Sequence, residues 1–394
     1  MSARSAAIYG SGPAGLMAAT ILAEAGVPVT LFERRPSYGR KLLIAGSSGL
    51  NVSHHCGLDE FISHYQGFSE ELWRRFFTEL SPGAWIGFIE RLGLETFVGT
   101  SSRYFVREMK ASGLLRAWRT HLEKLNVKFM PGHEWRGFEN RDGFAVTGLF
   151  LGGGSWEDVT PTWPGLMREA GIRVREFEPA NVGYEVAWKE EFLKEAEGKP
   201  LKNIVLMNRS GSKAGELVVT RYGLEGTPIY FLGQPGPAHV DLKPSMSEMD
   251  ILKRLQDVRE NLSPIRRVKK QLSLGDAAMA MLFHHTTEAT RNDLQALVSR
   301  IKAFPIELLR PRPLIEAISS TGGIDLNEVS IDAGNELALR KFPSVFVGGE
   351  MLDWTAPTGG FLIQGAVTQG AVAGRSMLNY LDRNAPSSGI PESI

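Results

Sequence analysis

The sequence of 394 residues contains little cysteine, no excess of charge of either sign and no long hydrophobic run. Its single cysteine, Cys56, excludes an internal disulfide framework and a zinc cluster built from several thiolates. Lys and Arg together number 44, as do Asp and Glu, so a globally basic nucleic-acid-binding protein is excluded while a local basic patch is not. No segment reaches the roughly 18 apolar residues of a membrane span, which predicts no membrane association.

The remaining composition is typical of a folded protein with many tight turns. Hydrophobic residues make up 43% and charged residues 22% of the chain. Glycine is abundant at 43 residues, and such an excess indicates tight turns or a backbone that approaches a ligand closely. The first residues run directly into a glycine motif that signal cleavage would destroy, so we expect a cytoplasmic protein.

A glycine motif near the N-terminus predicts a dinucleotide site. Residues 6–9 are a short apolar run typical of a buried strand, residues 13–25 have the spacing of a helix, and residues 27–33 form a second strand that ends in an acid. The turn between the first strand and the helix has the G-x-G-x-x-G spacing. It consists of Gly10, Ser11, Gly12, Pro13, Ala14 and Gly15.

Each position of this motif has a physical role in binding a dinucleotide. Gly10 makes the turn, Gly12 lets the backbone meet the pyrophosphate, and Gly15 allows the helix to pack closely on the strand. Glu33 accepts hydrogen bonds from ribose hydroxyls and disfavours a 2′-phosphate on this nucleotide. Arg34 follows directly and is included among the expected cofactor contacts.

The far end of the chain indicates that the dinucleotide is FAD. Residues 345–354 form an apolar strand that runs into Gly349 and Glu350, and a helix of small residues follows Gly359, Gly360 and Phe361. The acid suits a ribityl hydroxyl, and the helix N-terminus suits the flavin edge that becomes negative on reduction. A dehydrogenase that binds only NAD has no use for this element.

Several segments in order resemble the aminoacetone-oxidase-like or bile-acid-operon-type NAD(P)/FAD-dependent oxidoreductases. They are GSGPAGL (10–16), GRKLLIAGSSGLNVSH (39–54), SSRYFVREMKAS (101–112), LFLGGGSW (149–156), GELVVTRYGLEG (215–226), TGGIDL (321–326) and GGEMLDWTAPTGGF (349–361). The resemblance implies an α/β fold with a glutathione-reductase-like, Rossmann-type FAD-binding domain. It also implies further cofactor contacts at Arg40, Lys41, Ser48, Gly49, Asn51, Trp135, Gly152 and Gly153.

Two departures from the family pattern bear on the substrate. Many relatives carry Arg-Cys-Asn after three glycines, where this chain has SSGLN. The strand-end acid is Glu350, where the wider fold class commonly has Asp. The substrate of those relatives is therefore not carried over to this chain.

The pattern between the FAD segments predicts an insertion. Short alternating strands begin near residue 180 and predict a β-barrel-like domain (178–244 and 306–337), with a helical cap at 245–305. The FAD-binding domain would then comprise residues 1–177 and 338–394. Candidate strands of the barrel include residues 227–233, and a hairpin is expected with its turn at residues 140–143.

The predicted cap contains the densest basic run of the chain. Its members are Arg266, Arg267, Lys269 and Lys270. They are interpreted either as a solubilising surface loop or as a contact for phosphate, of RNA or of a nucleotide substrate. His284 and His285 lack a carboxylate at ligand spacing, so no metal site is expected there.

Three functions remain open. The first is a flavoenzyme that moves a hydride between flavin N5 and a small organic substrate, by amine or aminoketone oxidation or by reduction of a conjugated C=C bond. The second is reduction of a pyrimidine in ribosomal RNA, and the third is a non-catalytic flavin-binding module. Arg103, Tyr104 and Lys110 are weak candidates for an acid or base. Only one dinucleotide fingerprint is present, so a nicotinamide donor, NADH or NADPH, would bind transiently if it is used.

Overall fold

The computed structural model describes residues 4–45, 49–99, 101–138, 148–152, 162–257 and 262–384. From the N-terminus to residue 179 the elements are β1 (Ala6–Tyr9), α1 (Pro13–Glu24), β2 (Val29–Glu33), α2 (Arg40–Ala45), β3 (Asn51–His54), α3 (Leu58–Ser63), α4 (Glu70–Glu79), α5 (Pro82–Arg91), β4 (Thr96–Val98), β5 (Arg103–Val106), α6 (Ala111–Lys124), β6 (Lys128–Pro131), β7 (Gly148–Leu151), α7 (Trp163–Glu169) and β8 (Val174–Pro179). From there to residue 319 they are β9 (Tyr184–Glu185), α8 (Glu190–Ala196), β10 (Pro200–Asn208), β11 (Gly211–Val219), β12 (Gly223–Glu225), α9 (Thr227–Leu232), β13 (Gly236–Asp241), α10 (Glu248–Gln256), α11 (Pro264–Gln271), α12 (Asp276–His284), α13 (Glu288–Asn292), α14 (Leu294–Lys302) and β14 (Phe304–Leu308). The last are β15 (Ser320–Ile324), β16 (Val345–Val347), a 3-10 turn (Gly349–Met351) and α15 (Phe361–Arg383).

The chain divides into two compact units. Unit 1 comprises Met1–Glu178 and Ser320–Ile394, and unit 2 comprises Pro179–Ser319. The return to unit 1 comes at residue 320 rather than at the expected residue 338, because β15 pairs with β8. The helices expected to form a separate cap, 245–305, share one core with the sheet of unit 2. Local sequence does not specify these pairings, because a strand's partner lies far away along the chain.

Unit 1 is built on a five-stranded parallel sheet in the order β16-β7-β1-β2-β6. This is the predicted Rossmann-type architecture. Helices α1 and α15 pack closely because glycine removes the side chain between them: a Cβ atom on Gly370 would lie 2.2 Å from the carbonyl oxygen of Ala14. The two ends of the sequence therefore meet beside the central strand.

A second layer of unit 1 consists of aromatic helices and the antiparallel sheet β3-β5-β4. Trp73, Trp85 and Trp118 are fully buried, as their positions on amphipathic helices predict. The indole N–H of Trp85 donates to the carbonyl of Val52 at 3.0 Å, which fixes α5 against β3. This packing positions β3, which carries part of the site described below.

Unit 2 contains an antiparallel sheet in the order β14-β13-β10-β11-β12-β9. Its two edges meet, since the amide of Glu185 donates to Arg310 at 3.0 Å and that of Leu309 donates to Glu185 at 2.9 Å. The predicted barrel-like character is thus confirmed as a curled sheet. The predicted strand at 227–233 is wrong: it is helix α9, because Pro228 cannot donate to a ladder but suits a first helical turn.

The helices of unit 2 follow their sequence signals. Ser247 and Asp250 form a capping box at the start of α10, as the S-x-x-D spacing of residues 247–250 predicts. Helices α13 and α14 are divided at Asp293, whose side chain caps α14 through the amide of Ala296 at 2.9 Å. The basic run lies on helix α11, not in a loop.

Acidification is expected to destabilise unit 2 through His285. Its ring lies edge-on to Trp188 and Phe192, with centroids 5.4 and 4.9 Å apart, and its Nε2 atom is buried without a hydrogen-bond partner among the described residues. Burial, together with the charges of Lys189 and His284, lowers the pKa of His285 to about 4. In the unfolded chain the pKa of histidine is ~6.5. The contribution of the neutral His285 to the stability of unit 2 is therefore complete above that pH and is lost as the pH falls towards 4.

Urea unfolding between pH 7 and 4 tests this expectation. The variant His285→Leu should lose less stability on acidification than the wild type does. His239→Gln, which removes an exposed imidazole elsewhere in unit 2, serves as the control and should lose about as much as the wild type. The same pH dependence in wild type and His285→Leu would contradict the assignment.

Candidate functional site

A cleft opens in unit 1 at the carboxyl ends of β1 and β2. It holds about 830 Å³ of empty space, part of it open to solvent. In parallel α/β sheets, ligands bind at this edge. The cleft is lined by Tyr9, Gly10, Ser11, Gly12, Glu33, Arg34, Gly39, Arg40, Lys41, His133, Glu134, Trp135, Leu151, Gly152, Thr162, Trp163 and Met351.

The three glycines of the motif differ in whether the packing of the protein itself excludes a side chain at their position. A Cβ atom on Gly10 would lie 2.4 Å from the carbonyl oxygen of Gly152, and one on Gly15 would lie 1.9 Å from that of Gly10. Both glycines are therefore needed by the fold itself. Gly12 has an extended backbone with φ −72°, and a Cβ atom there would meet nothing within 4 Å. The protein alone does not require a glycine at position 12, whereas a ligand lying against the backbone would.

The carboxylate of Glu33 is held in a fixed orientation at the cleft. Its Oε2 atom accepts from the amide of Ser11 at 3.1 Å and from the Ser11 hydroxyl, and its Oε1 atom accepts from the amide of Arg35 at 3.0 Å. The Ser11 hydroxyl in turn accepts from the amide of Gly39 at 2.9 Å. A carboxylate has about four acceptor positions, so one remains on Oε1. That position can receive a ribose hydroxyl.

The start of α1 offers hydrogen-bond donors to an anion. Pro13 is the first helical residue, and no side chain caps the helix at Gly12. The first-turn N–H groups have no partner within a helix, and the helix dipole adds a partial positive charge there. Arg40 and Lys41 also line the cleft. The arrangement suits a pyrophosphate.

Trp135 carries an unsatisfied donor at the cleft. The side chain is 5% exposed, packs edge-on against Phe138 at 5.1 Å between ring centroids, and lines the cleft. Its indole Nε1 is buried without a hydrogen-bond partner among the described residues. A buried N–H without a partner costs free energy, so an acceptor atom supplied by a bound cofactor would stabilise this side chain.

Trp135→Phe is expected to weaken cofactor binding without harming the empty protein. The change keeps an aromatic side chain beside Phe138 but removes the N–H donor. We expect FAD affinity to fall about five- to tenfold, the effect of one neutral hydrogen bond, while the apoprotein keeps or gains stability. Flavin fluorescence titration and thermal unfolding of the apoprotein measure the two quantities. Unchanged FAD affinity would show that the indole N–H does not contact the cofactor.

Lys41 and Glu350 meet although 309 positions separate them in sequence. Lys41 Nζ lies 3.0 Å from Glu350 Oε2, and both side chains are about one quarter exposed. The sequence predicted each of them as a cofactor contact but not their pairing. Glu350 lies in the 3-10 turn, where the Gly349 amide donates to the Gln369 Oε1 atom at 2.8 Å. The Gln369 Nε2 atom has no partner among the described residues, and no local signal marked this residue.

The N-terminus of α15 lies against β3. Gly359 and Gly360 have φ of +108° and +100°, and a Cβ atom on Gly360 would lie 2.5 Å from the carbonyl of Ser53. Phe361 follows as the first residue of the helix, and its carbonyl accepts from the Tyr65 hydroxyl at 2.7 Å. The two glycines therefore allow the helix to begin directly on the strand.

Arg103 lies at this junction, but Tyr104 and Lys110 do not. A Cβ atom on Gly359 would lie 3.2 Å from Arg103 Nε. Successive side chains of a strand point to opposite faces, and Tyr104 instead bonds the exposed His55 at 2.9 Å. Lys110 is an exposed N-cap of α6. The three candidates therefore do not form one group.

His54 is the residue that accompanies Arg103, and the sequence did not single it out. It is paired with Arg103 across β3 and β5, and its ring stacks on Phe361 with centroids 4.8 Å apart. His64 also stacks on Phe361, at 4.6 Å. Strand pairing brings His54 to Arg103, and no periodicity along the chain reveals that pairing.

The remaining predicted contacts lie near the same junction or outside the described residues. Asn51 begins β3, and its Oδ1 atom is buried without a partner among the described residues. Gly49 has φ of +134°. Ser48 and Gly153, like the turn at residues 140–143, lie outside the described residues.

The site fits FAD. Gly12, with its open Cβ position, and Trp135, whose indole N–H has no partner among the described residues, both line one cleft, next to the oriented carboxylate of Glu33. Within the described ranges, no group of three His, Cys, Asp or Glu residues is placed to hold a metal ion. Across the same ranges, none of the helices combines the length and apolarity needed to cross a bilayer.

The family comparison agrees with this architecture. A family model described as the HI0933-like protein Rossmann domain matches residues 4–376. The ribosomal RNA dihydrouridine synthase of Escherichia coli (strain K12) is 23% identical over 390 residues, which cover 92% of this chain and 94% of that protein. The open conformation of a flavocytochrome c3 fumarate reductase is similar over 96% of this chain and 78% of that chain, at 15% identity and a TM-score of 0.49.

A 3-ketosteroid delta1-dehydrogenase from Sterolibacterium denitrificans is similar over 97% of this chain and 100% of that chain, at 11% identity and a TM-score of 0.49. The family match covers nearly all of the first part of unit 1, all of unit 2 and residues 320–376 of the second part of unit 1. The chain therefore belongs to the HI0933-like Rossmann-domain family.

Proposed function

We propose that the protein transfers a hydride between FAD and a small organic substrate. The observation that carries this proposal is the cleft at Gly12. The packing of the protein itself does not require a glycine there, and the missing side chain leaves room for a ligand. When bound, FAD supplies two-electron chemistry at the N5 atom of its ring. Glu33 would hold the adenosine ribose, the start of α1 the pyrophosphate, and Glu350 the ribityl chain.

Two reactions of flavin-dependent enzymes are compatible with this proposal, and they differ in the class of substrate. One is oxidation of an amine or aminoketone. The other is reduction of a C=C bond conjugated to a carbonyl group. A nicotinamide donor would bind transiently, because only one dinucleotide fingerprint is present in the chain.

Anaerobic reduction of the purified protein tests this proposal. The protein should copurify with FAD or take it up, and NADH or NADPH should bleach the flavin absorbance if either is the electron donor. Admission of air then separates an oxidase, which recovers its colour rapidly, from a reductase, which recovers it slowly. A colourless protein that does not bind added FAD would contradict the proposal.

A second candidate is reduction of a pyrimidine in ribosomal RNA. One relative, 23% identical, is a ribosomal RNA dihydrouridine synthase. Three exposed cations, Arg266, Lys269 and Lys270, share one face of α11 at helical spacing. Arg267 does not belong to this face, since its side chain donates to the carbonyls of Leu262 at 2.9 Å and Leu255 at 3.3 Å. Such a face suits phosphates of RNA.

Neutralising this face is expected to weaken RNA binding. The triple variant Arg266→Gln, Lys269→Gln, Lys270→Gln should bind ribosomal RNA fragments about tenfold more weakly at low salt, with a shallower salt dependence. A triple variant that replaces the exposed residues Arg116, Lys124 and Lys128 with Gln makes the same change in net charge and serves as the control. Equal RNA affinity in both variants and the wild type would speak against the RNA substrate.

A further inference from the structure

The junction of β3, β5 and α15 contains two groups that are not among the predicted cofactor contacts. Arg103 is half-buried and lies against the backbone of Gly359, at 3.2 Å from the Cβ position of that glycine. His54 is also half-buried, and its Nδ1 atom lies 3.4 Å from the carbonyl oxygen of Gly359. A guanidinium and an imidazole therefore converge on one residue directly before the N-terminus of α15.

The contact with Gly359 determines which nitrogen of His54 carries the proton. A carbonyl oxygen only accepts hydrogen bonds, so Nδ1 must donate. In the neutral ring, Nε2 then keeps its lone pair, and it has no hydrogen bond among the described residues. Burial, the main cause, and the charge of Arg103 lower the pKa of His54, although the bond to Gly359 opposes them. His54 is therefore a neutral base near pH 7, with Nε2 available.

Arg103 has the complementary property. Burial lowers the pKa of its guanidinium, but arginine stays charged at neutral pH. A desolvated guanidinium forms strong hydrogen bonds with an oxyanion. A fixed cation also disfavours a cationic amine as the neighbouring substrate. The pair thus suits a substrate that develops negative charge on an oxygen atom.

We propose that Arg103 and His54 act on a carbonyl compound, with Arg103 stabilising its enolate oxygen and His54 Nε2 exchanging a proton with its α-carbon. This inference rests on the proposed function, because FAD is the oxidant. In the oxidation direction, the α-C–H bond breaks and its proton passes to His54 Nε2. The β-C–H bond breaks with its electron pair, and that hydride passes to FAD while the α,β C=C bond forms. Reduction of a conjugated C=C bond is the reverse.

The surrounding residues keep the pair in place. Phe361 stacks on His54, and Tyr65 donates to the carbonyl of Phe361 from a fully buried position. Ser53, adjacent to His54, donates to the buried Gln364 Oε1 atom of α15 at 2.8 Å. These bonds join β3 to α15, so the imidazole cannot move independently of the helix.

The first test uses p-nitrophenol, whose anion is a planar conjugated oxyanion like an enolate. The oxidised FAD-loaded wild type should bind it as the phenolate, seen as the phenolate absorbance at a pH where the free compound is mostly protonated. Arg103→Gln should weaken this binding about tenfold or more. Arg107→Gln removes an exposed arginine four residues later on the same segment and should leave it unchanged.

The second test follows the proton. The FAD-loaded wild type in D2O should exchange the α-hydrogens of cyclohexanone, measured by loss of their NMR signals. His54→Gln should abolish this exchange but keep phenolate affinity within about threefold. His55→Gln changes the neighbouring imidazole, which bonds Tyr104 on the other face of the strand, and should exchange like the wild type.

The outcomes separate this inference from the proposed function. FAD content of each variant is measured from the flavin released on denaturation. A wild type that holds no FAD would contradict the proposed function and, with it, this inference. An FAD-loaded wild type whose phenolate binding is independent of Arg103, or that shows no His54-dependent exchange, would overturn this inference alone.

Discussion

Gly12→Asp is expected to give a folded protein that holds no FAD. The backbone at Gly12 is extended and its Cβ position is open, so the empty protein accepts the side chain. Aspartate is a favoured N-cap residue, and the apoprotein should therefore unfold at the same temperature as the wild-type apoprotein or higher. The new carboxylate would occupy the pyrophosphate position with a like charge. We expect FAD affinity to fall at least ~100-fold, equivalent to ~2.8 kcal/mol.

A matched control exists in the same unit. Gly57 is also the N-cap of a helix, with an extended backbone and no atom within 4 Å of its Cβ position, but it lies outside the cleft. The Gly57→Asp apoprotein should therefore unfold at about the same temperature as the Gly12→Asp apoprotein, and its affinity for FAD should equal that of the wild type. Full FAD binding by Gly12→Asp, measured by titration of the apoprotein, would mean that the cofactor does not lie against α1.

Gly370→Ala is expected to have the opposite effect, a loss of fold stability rather than of a ligand contact. Alanine favours a helix over glycine by ~1 kcal/mol, so propensity alone predicts stabilisation. The added Cβ atom would lie 2.2 Å from the carbonyl oxygen of Ala14, a backbone atom that cannot rotate away. The helices α1 and α15 would have to separate. We expect the free energy of unfolding of unit 1 to fall by roughly 3 kcal/mol, the upper part of the range for overpacked cores.

Gly87→Ala provides the comparison for Gly370→Ala. Gly87 also lies within a helix, α5, but a Cβ atom there would meet nothing within 4 Å. This variant should gain up to about 1 kcal/mol. Denaturant unfolding of the apoproteins measures both changes. Equal stability of Gly370→Ala and the wild type would show that α1 and α15 do not pack through Gly370.

The two glycines explain why a glycine-rich sequence alone does not identify a site. Gly12 and Gly370 are the same residue type in or beside a helix, and both have an alanine within two residues after them. Only the surroundings show the difference: another backbone occupies the space at the Cβ position of Gly370, whereas no protein atom occupies that space at Gly12. We therefore expect Gly12 to be the functional glycine, because packing within the fold does not explain why it lacks a side chain.

Structural features that depend on residues close together in the sequence were predicted well. The strand, turn and helix at residues 6–24 and the acid that ends β2 were expected in the places where the structure has them. The capping box of α10 was also expected. These features depend on hydrogen bonds over a few residues, or on a burial pattern with a regular period, and both are visible along the chain.

Features that depend on distant residues were missed. The strand expected at 227–233 is α9, the region expected in the insertion up to residue 337 returns to unit 1 at residue 320, and Arg103 is accompanied by His54 rather than Tyr104. Each outcome depends on a pairing across the fold. A strand alternates its side chains, but its sequence does not say which neighbour each face meets.

The sequence by itself determined the Rossmann-type architecture and predicted a dinucleotide site in it, because a turn, a helix and an acid at set spacing already have the chemistry of that ligand. It also predicted a second cofactor motif in the C-terminal segment. The tertiary structure decided that the two segments meet through Gly370 and Ala14, that Lys41 pairs with Glu350, and that His54 joins Arg103. The physical reason is range: local hydrogen bonds and periodicity act over a few residues, whereas packing joins residues hundreds of positions apart.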